Sequence, residues 1–184
     1  MDYREKTVTL KDGRTCLLRR GEEGDAELLL DYLKTTAGET RYLSREPEEA
    51  AAITLEEERA LIQMKNACDR TLNLLAFVDG EHAGNCAFNP SGNQSRIRHR
   101  CSIGVALYRK FCGMGIGTAL LGEILSAAKS AGYEQAELTV VSTNAPAIAL
   151  YKKFGFETTG TMPRVMKYRD GTYADFLFMV KSLL

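Results

Sequence analysis

A glycine-rich turn is the part of this sequence whose residue types and spacing are best suited to chemistry. It reads Cys112-Gly113-Met114-Gly115-Ile116-Gly117-Thr118, between a short apolar segment, 103–107, and a segment whose apolar residues recur at helical spacing. A glycine-rich turn from a strand into a helix lets backbone N–H groups surround a phosphate at the positive end of the helix dipole. The turn therefore predicts a ligand that carries phosphate groups.

The spacing around this turn excludes two well-known phosphate loops. A P-loop requires a lysine directly after its last glycine, and no lysine lies near Gly117. A dinucleotide-binding Gly-x-Gly-x-x-Gly motif would place its third glycine at Ile116 or at Thr118. Because glycine-rich turns are common in proteins, a turn without any ligand stays open as an alternative.

A second segment, 138–156, has the pattern of a β-branched strand followed by a short helix. Asn144 is a favourable N-cap, and Gly155 suits the left-handed residue that often follows a helix. Four residues share one helical face by their spacing, namely Asn144, Ala147, Ile148 and Tyr151. This face carries an amide, a small gap and a phenol, a set that is typical of a core-facing helix when it is considered alone.

Taken together, the two segments resemble the GNAT superfamily of acyl-CoA N-acyltransferases. The family's phosphate loop reads Gln/Arg-x-x-Gly-x-Gly/Ala; residues 112–117 match its glycines and depart from it at Cys112. The family's second motif, Asn-x-x-Ala-x-x-x-Tyr-x-x-x-Gly-Phe, is matched by Asn144, Ala147, Tyr151, Gly155 and Phe156. The resemblance is specific over roughly residues 103–156.

The resemblance implies that acetyl-CoA binds at the glycine turn. The implied ligands of its pyrophosphate are backbone N–H groups, those of Met114, Gly115, Gly117 and Thr118. On the preceding strand, the backbone of Val105 is implied to face the acyl carbonyl and that of Leu107 to pair with the pantetheine. The whole implied cofactor set is Val105, Leu107, Cys112, Gly113, Met114, Gly115, Gly117, Thr118, Asn144 and Ala147. Helix capping alone also explains Asn144, whereas Ala147 is implied to leave room for the pantetheine.

Tyr151 is implied to be the catalytic acid. A phenol with a pKa of about 10 can protonate a departing thiolate whose conjugate acid, by analogy with cysteine, has a pKa of about 8.5. Packing alone also explains a half-buried tyrosine, so that alternative stays open.

The general base is unassigned. Many relatives carry a glutamate where this chain has Ser102, and a hydroxyl is no base at neutral pH. The alternatives are a water-mediated route to one of three side chains, or an amine that arrives neutral. The three side chains are Glu39, Glu46 and His99.

Composition excludes several classes of partner. The 184 residues carry 24 basic and 24 acidic side chains, which gives no electrostatic case for nucleic acid or a membrane surface. Five scattered cysteines and two separated histidines predict a reduced, cytoplasmic chain without a metal site. Cys112 has two readings, a slightly acidified thiol near a helix start or a small apolar filler.

Three Asp-Gly pairs lie between strand-like runs and predict β-hairpins. They are Asp12-Gly13, Asp79-Gly80 and Asp170-Gly171. The predicted strands are 8–10, 15–19, 72–78, 82–88, 96–107, 136–141, 157–160 and 174–180. The predicted helices are 26–34, capped by Asp25; 55–67, with a capping box of Thr54 and Glu57; one from the glycine turn to about 131; and one ending at 154. The segment 36–52 has no clear periodicity and is predicted to be a long functional loop, with a plain surface loop as the open alternative.

These elements predict an α/β (α+β) fold, a single domain over residues 1–184 with a mostly antiparallel mixed sheet and flanking helices. The resemblance further implies that the two central strands, 100–107 and 136–141, splay apart and seat the acyl-CoA between them.

The predicted function is an N-acetyltransferase in which a primary amine attacks acetyl-CoA directly within a ternary complex. The acceptor, a small-molecule amine or a peptide or protein amine, cannot be deduced from the residues, and homodimer formation stays open. A non-catalytic acyl-CoA-binding sensor or adaptor is the alternative, because Ser102 and Cys112 depart from the family's pattern. A third alternative is a structural domain that binds no ligand.

Overall fold

The computed structural model describes residues 3–184, which contain eight strands and five α-helices. The strands are β1 (Lys6–Thr9), β2 (Thr15–Arg20), β3 (Leu72–Val78), β4 (Glu81–Pro90), β5 (Arg100–Leu107), β6 (Gln135–Val141), β7 (Glu157–Lys167) and β8 (Tyr173–Ser182). The helices are α1 (Ala26–Glu39), α2 (Pro47–Ala51), α3 (Leu55–Asn66), α4 (Ile116–Ser130) and α5 (Ala145–Lys153). Short 3-10 turns, Glu23–Asp25 and Arg109–Phe111, precede α1 and the glycine turn.

The strands form one mixed sheet in the order β1-β2-β3-β4-β5-β6-β8-β7. Neighbouring strands are antiparallel except β5 and β6, which run parallel. The pairing of β5 with β6 ends at Ser102 and Glu137, and the two strands then separate. The predicted mixed sheet, mostly antiparallel and with a splayed central pair, is confirmed.

The sheet has a hydrophobic cluster on each face because neighbouring residues of a strand point to opposite sides. Leu74 and Ala76 of β3 belong to the main core, in which α4 packs across β3, β4 and β5. Leu75, between them, belongs to a smaller cluster with Tyr32 of α1 and Ile62 of α3. The sheet therefore lies between α4 on one face and α1 with α3 on the other.

Local sequence signals account for most of the element boundaries. The Asp-Gly turns are the hairpin turns expected, with left-handed φ angles of 86°, 80° and 82° at Gly13, Gly80 and Gly171. The capping box of α3 is also confirmed, because the backbone N–H of Glu57 donates to the Thr54 hydroxyl at 3.2 Å and the Glu57 carboxylate accepts from the Thr54 N–H at 2.8 Å.

Two predictions about the first helical region are wrong. The side chain of Asp25 does not cap α1; its carboxylate accepts from Arg19 at 2.7 Å and 2.8 Å and from the backbone N–H of Glu22. The segment 36–52 is not one long loop, because α1 continues to Glu39 and α2 follows. Burial of Thr36, whose hydroxyl donates to the carbonyl of Tyr32 at 2.7 Å, holds the last turns of α1 in place.

The remaining strand and helix predictions differ from the structure by a few residues. Strand β5 begins at Arg100 rather than at position 96, whereas β7 and β8 are longer than expected. Among residues 3–184, no helix combines the length and the apolar composition that a membrane crossing requires.

Replacement of Gly84 by alanine is expected to lower the free energy of unfolding by about 1–3 kcal/mol or more. Gly84 has a φ of 148°, and an added Cβ would lie 2.4 Å from the carbonyl oxygen of Ala106 and 2.7 Å from the Cα of Leu107. Urea denaturation followed by circular dichroism measures the loss.

Gly160→Ala is the matched control, because a Cβ at that strand position would have no neighbour within 4 Å. Equal stability of the two variants would contradict the steric argument for Gly84.

Candidate active site

A cavity of about 1420 Å³ opens where β5 and β6 separate. Its walls come from the glycine turn, from α5 and from the helices α1 and α3. Binding pockets for one small ligand usually measure about 300–1,000 Å³. The cavity is therefore large enough to accept two substrates side by side.

The glycine turn ends in an uncapped helix N-terminus. Gly113 and Gly115 adopt left-handed φ angles of 83° and 94°, which side chains rarely tolerate. Gly115 is the N-cap of α4 and supplies no side-chain cap to the first turn, where Gly117 and Thr118 lie. Because the first N–H groups of a helix lack intrahelical partners, this end of α4 offers donors and positive dipole to an anion in the cavity.

Close packing joins the start of α4 to α5. An added Cβ at Gly117 would lie 3.3 Å from Cδ2 of Leu150, so the backbone of α4 at this glycine packs closely against a side chain of α5. The two sequence segments that suggested the site therefore face one cavity, although a strand separates them in the chain.

Lys11 adds a positive charge beside the glycine turn, and no sequence pattern predicts this position. Its Cγ lies 3.6 Å from the position of a Cβ at Gly115, and Lys11 lines the cavity. The hairpin between β1 and β2, near the N-terminus, places it there. Arg109 also lines the cavity, but its backbone N–H and its guanidinium both bind Glu39.

Helix α5 presents Tyr151 to the cavity. Asn144 caps this helix, and its side-chain oxygen accepts from the backbone N–H of Ala147 at 3.4 Å. The Tyr151 ring packs edge-on against Phe156 at 5.8 Å and is only 5% exposed. Burial raises the pKa of the Tyr151 phenol well above its usual value, so the hydroxyl is protonated at neutral pH.

The central strand is anchored next to the cavity by a second tyrosine. The hydroxyl of Tyr32, on α1, donates to the carbonyl of Ala106 at 2.9 Å. Ala106 lies between Val105 and Leu107, whose backbones are implied to face the acyl group and the pantetheine. This hydrogen bond therefore holds the strand end in position and satisfies the carbonyl of Ala106.

All but one of the predicted site residues line the cavity. Those that do are Val105, Leu107, Cys112, Gly113, Gly115, Gly117, Thr118, Asn144, Ala147 and Tyr151. Met114 is the exception; its side chain is partly buried, and its Sδ accepts from Arg14 at 3.4 Å. The structure thus brings the predicted set together, while the role of each residue stays a prediction.

Neither reading of Cys112 matches its surroundings. The thiol is exposed on the cavity wall and donates to the carbonyl of Tyr108 at 3.6 Å, so it fills no apolar gap. Partial burial and the carboxylate of Glu39 raise the pKa of the Cys112 thiol, and Arg109 opposes them only in part. The thiol is not acidified because α4 begins at Ile116, and a helix dipole acts mainly within the first turn.

Ser102 lies outside the cavity, and its hydroxyl donates to the carbonyl of Asn89 at 3.4 Å. Among the three alternatives for a base, Glu39 lines the cavity, whereas Glu46 and His99 do not. The carboxylate of Glu39 already accepts the backbone N–H of Arg109 at 2.7 Å.

Glu58 is a cavity residue that sequence reasoning missed. It belongs to a run of three glutamates in the first turn of α3, which reads as a solvated face. In the structure, Glu58 is 5% exposed, and its burial raises the pKa of its carboxyl group. No local pattern in the sequence tells which of the three turns inward.

Within residues 3–184, no group of three or more His, Cys, Asp or Glu side chains is arranged to hold a metal ion. The absence of a metal requirement stays a prediction.

Known sequences similar to this chain identify its family. Residues 31–156, more than half of the chain, match the sequence model of the family described as the Acetyltransferase (GNAT) family. The chain belongs to this family. The matched span contains the glycine turn and α5, so the resemblance that rested on these two segments is confirmed.

Individual GNAT relatives agree with this assignment. The chain is 31% identical to the L-amino acid N-acetyltransferase AaaT of Escherichia coli (strain K12) over an alignment of 109 residues. This alignment covers 59% of this chain and 66% of that protein. The alignment therefore spans just under two thirds of the curated relative's length.

Solved structures of GNAT proteins align over more of the chain. An acetyltransferase of the GNAT family from Streptococcus pneumoniae has a TM-score of 0.85 at 28% identity, covering 91% of this chain and 99% of that one. The yncA protein of Salmonella typhimurium, solved with its cofactor acetyl-CoA, has a TM-score of 0.81 at 20% identity, covering 92% and 94%. The second likeness concerns the fold alone.

Alkylation of Cys112 by iodoacetamide at pH 7 is expected to be slower than that of free cysteine. The thiolate is the reacting form, and a raised pKa of the thiol reduces its population. Mass spectrometry of the labelled peptide measures the rate, and Cys112→Ser identifies the peptide. A rate above that of free cysteine at pH 7 would show the thiol to be acidified after all.

Proposed function

We propose that the protein is an acetyl-CoA-dependent N-acetyltransferase, which transfers an acetyl group to a primary amine by direct attack in a ternary complex. The observation that carries this proposal is one cavity lined both by the uncapped N-terminus of α4 and by Tyr151. Family membership supports the acetyl transfer, and the cytoplasm supplies both acetyl-CoA and the reducing conditions that suit five free cysteines.

The cofactor chemistry fits the residues of the cavity. Acetyl-CoA supplies the acyl group as an activated thioester. The N-terminus of α4, including the N–H groups of Gly117 and Thr118, holds the pyrophosphate, with the ammonium group of Lys11 beside it. This arrangement uses backbone donors and a distant lysine, so it does not need the glutamine or arginine that Cys112 replaces.

The acceptor nitrogen loses two protons in this reaction, and one of them is released. The acceptor ammonium loses one proton to a base, and its nitrogen forms a C–N bond with the acyl carbon. The C–S bond breaks, and the sulfur takes the proton of the Tyr151 phenol. The nitrogen's second proton, no longer needed in the neutral amide, returns to the phenolate of Tyr151. Overall one proton is released, to the base and then to water.

A small-molecule amine is the acceptor that the cavity fits best. The lining of the cavity includes the charged side chains of Arg45, Glu58 and Lys65, together with apolar side chains of α1 and α3 such as Leu29, Leu33 and Leu61. The curated relative from Escherichia coli acts on L-amino acids according to its name, which supports an acceptor of this class.

The sensor alternative has its own supporting observation. Ser102 lies outside the cavity, so the position used for a base in many relatives is not available here. A sensor would bind acetyl-CoA with a thermal shift but release no free CoA above the hydrolysis background with any amine.

Tyr151→Phe is expected to lower kcat by about 10²–10⁴-fold, the usual contribution of a general acid. Purified protein, acetyl-CoA and a panel of amines are assayed by release of free CoA thiol. Because burial keeps the pKa of Tyr151 above its ordinary value of about 10, wild-type kcat is expected to show no alkaline loss from this group below about pH 10.

Tyr3→Phe is the control for this variant, since that phenol hydrogen-bonds to Glu123 and does not line the cavity. Undiminished kcat in Tyr151→Phe would contradict the acid role.

Lys11→Ala is expected to weaken acetyl-CoA binding by about five- to tenfold, equivalent to roughly 1–1.4 kcal/mol. The affinity of the variant is also expected to fall less steeply with salt, because one exposed charge contact has been removed. Isothermal titration calorimetry at two sodium chloride concentrations measures both effects.

Lys129→Ala removes an exposed lysine from the far end of α4 and serves as the matched control. If both lysine variants bound acetyl-CoA equally well, Lys11 would have no part in holding the phosphates.

A further inference from the structure

The inward orientation of Glu58 follows from how α3 packs. Glu58 and Ile62 are four residues apart and share one helical face, and Ile62 is buried in the small hydrophobic cluster that also contains Leu75 of β3. Glu57 is fully used by the capping box, and Glu56 is exposed. Packing of α3 therefore places Glu58 at the cavity wall, where the capping-box residue Glu57 also lies.

The carboxylate of Glu58 has no partner of its own. Within residues 3–184, no hydrogen bond and no ion pair within 4.0 Å reaches it. Arg45 and Lys65, the cations that act on it through space, also line the cavity and are likewise without an ion pair in this range. The Glu58 side chain is mostly buried, but its carboxylate oxygens keep some contact with solvent, and an unpaired carboxylate that loses part of its hydration does not stabilise the folded state.

We propose that Glu58 binds the ammonium group of the acceptor and takes its proton, and that Arg45 and Lys65 bind a carboxylate of the same acceptor. The acceptor class is then a small molecule with an ammonium and a carboxylate group, such as an amino acid. This inference rests on the proposed acetyl transfer at the same cavity.

Charges around Glu58 suit a proton acceptor. Burial raises the pKa of its carboxyl group, while Lys65 and Arg45 oppose the rise. A carboxylate whose pKa is raised towards neutrality is a better base than an ordinary surface glutamate. On α1, α2 and α3 the other ionisable side chains that line the cavity are Tyr32, Glu39, Glu49 and Glu57, while β3 and β4 contribute the neutral amides of Asn73 and Asn85.

Competing carboxylates in the cavity are already in use. Glu39 accepts a backbone N–H from Arg109, and Glu49 and Glu57 each complete a capping box. Glu58 is the cavity glutamate that the fold leaves available to a substrate cation.

Glu58 takes the first of the two protons that the acceptor nitrogen loses. The ammonium N–H bond breaks, its proton joins a carboxylate oxygen of Glu58, and the nitrogen lone pair forms the bond to the acyl carbon. Glu58 later releases this proton to water, which accounts for the single proton that the overall reaction produces.

The test compares Glu58→Gln with the conservative Glu58→Asp and with Glu56→Gln, an exposed neighbour in the same helical turn. The probes are L-leucine and L-phenylalanine, each paired with the amine that lacks its carboxylate, isoamylamine and 2-phenylethylamine. The readouts are kcat/KM for the amine against pH, the affinity for acetyl-CoA, amine binding in the presence of CoA, and Tm.

Glu58→Gln is expected to lower kcat/KM for the amine by about 10²–10⁴-fold and to abolish the acidic limb of the pH profile, with acetyl-CoA affinity unchanged. Glu58→Asp is expected to restore part of the activity, and Glu56→Gln to behave as wild type. The amino acids are expected to react faster than the amines without a carboxylate, and Arg45→Ala to remove that preference.

The stability of Glu58→Gln separates a functional role from a structural one. Because folding raises the pKa of Glu58, its ionised form destabilises the folded state at pH values above the ordinary glutamate pKa of about 4.3. Tm of the variant is therefore expected to equal or exceed that of wild type at pH 7, and the difference to vanish as pH falls below that value.

Several outcomes would overturn the inference. An unchanged acidic limb in Glu58→Gln, or a joint loss of Tm and acetyl-CoA affinity, would reduce Glu58 to a structural residue. Equal rates with and without the acceptor carboxylate would reject the roles of Arg45 and Lys65. If wild type released no CoA but bound amines through Glu58, the transferase proposal would fail and the ammonium site would stand; if it bound none, both would fail.

Discussion

The separation of β5 from β6 is the constraint on which the rest of the structure depends. Parallel pairing ends at Ser102 and Glu137, where the ion pair between Arg100 and Glu137 at 2.6 Å joins the two strands at their paired end. Beyond this point β5 is paired with β4 alone, so its other edge faces the cavity. Backbone donors and acceptors on that edge need partners, and a bound extended ligand can provide them.

Contacts on both sides of the opening hold the end of β5 in place. Tyr32 holds the carbonyl of Ala106 from one side, and the glycine turn with α4 holds the other. On one edge β5 is paired with β4, whose Gly84 lies close to Ala106 and Leu107. The walls of the cavity are therefore packed strands and helices.

Polar groups buried in this opening cost stability and are suited to chemistry for the same reason. Burial raises the pKa of the Tyr151 phenol and of the Glu58 carboxyl group. The first effect preserves a proton donor, and the second brings a proton acceptor nearer to neutral pH. The two groups approach the cavity from different helices, α5 and α3, which fits an acid at the leaving sulfur and a base at the incoming amine.

Short-range patterns in the sequence determined the hairpins at the Asp-Gly pairs, the capping of α3 and α5, and the two segments that identify the family. These features depend on neighbouring residues, such as Thr54 with Glu57 or Asn144 with Ala147, and local chemistry suffices to predict them. Tertiary structure alone decided that Lys11 lies beside Gly115, that Asp25 pairs with Arg19, and that Glu58 rather than Glu56 turns inward. The first outcome depends on a contact between segments far apart in the chain. The other two depend on which nearby partner or which helix face the packing selects, and the types of the neighbouring residues do not determine that choice.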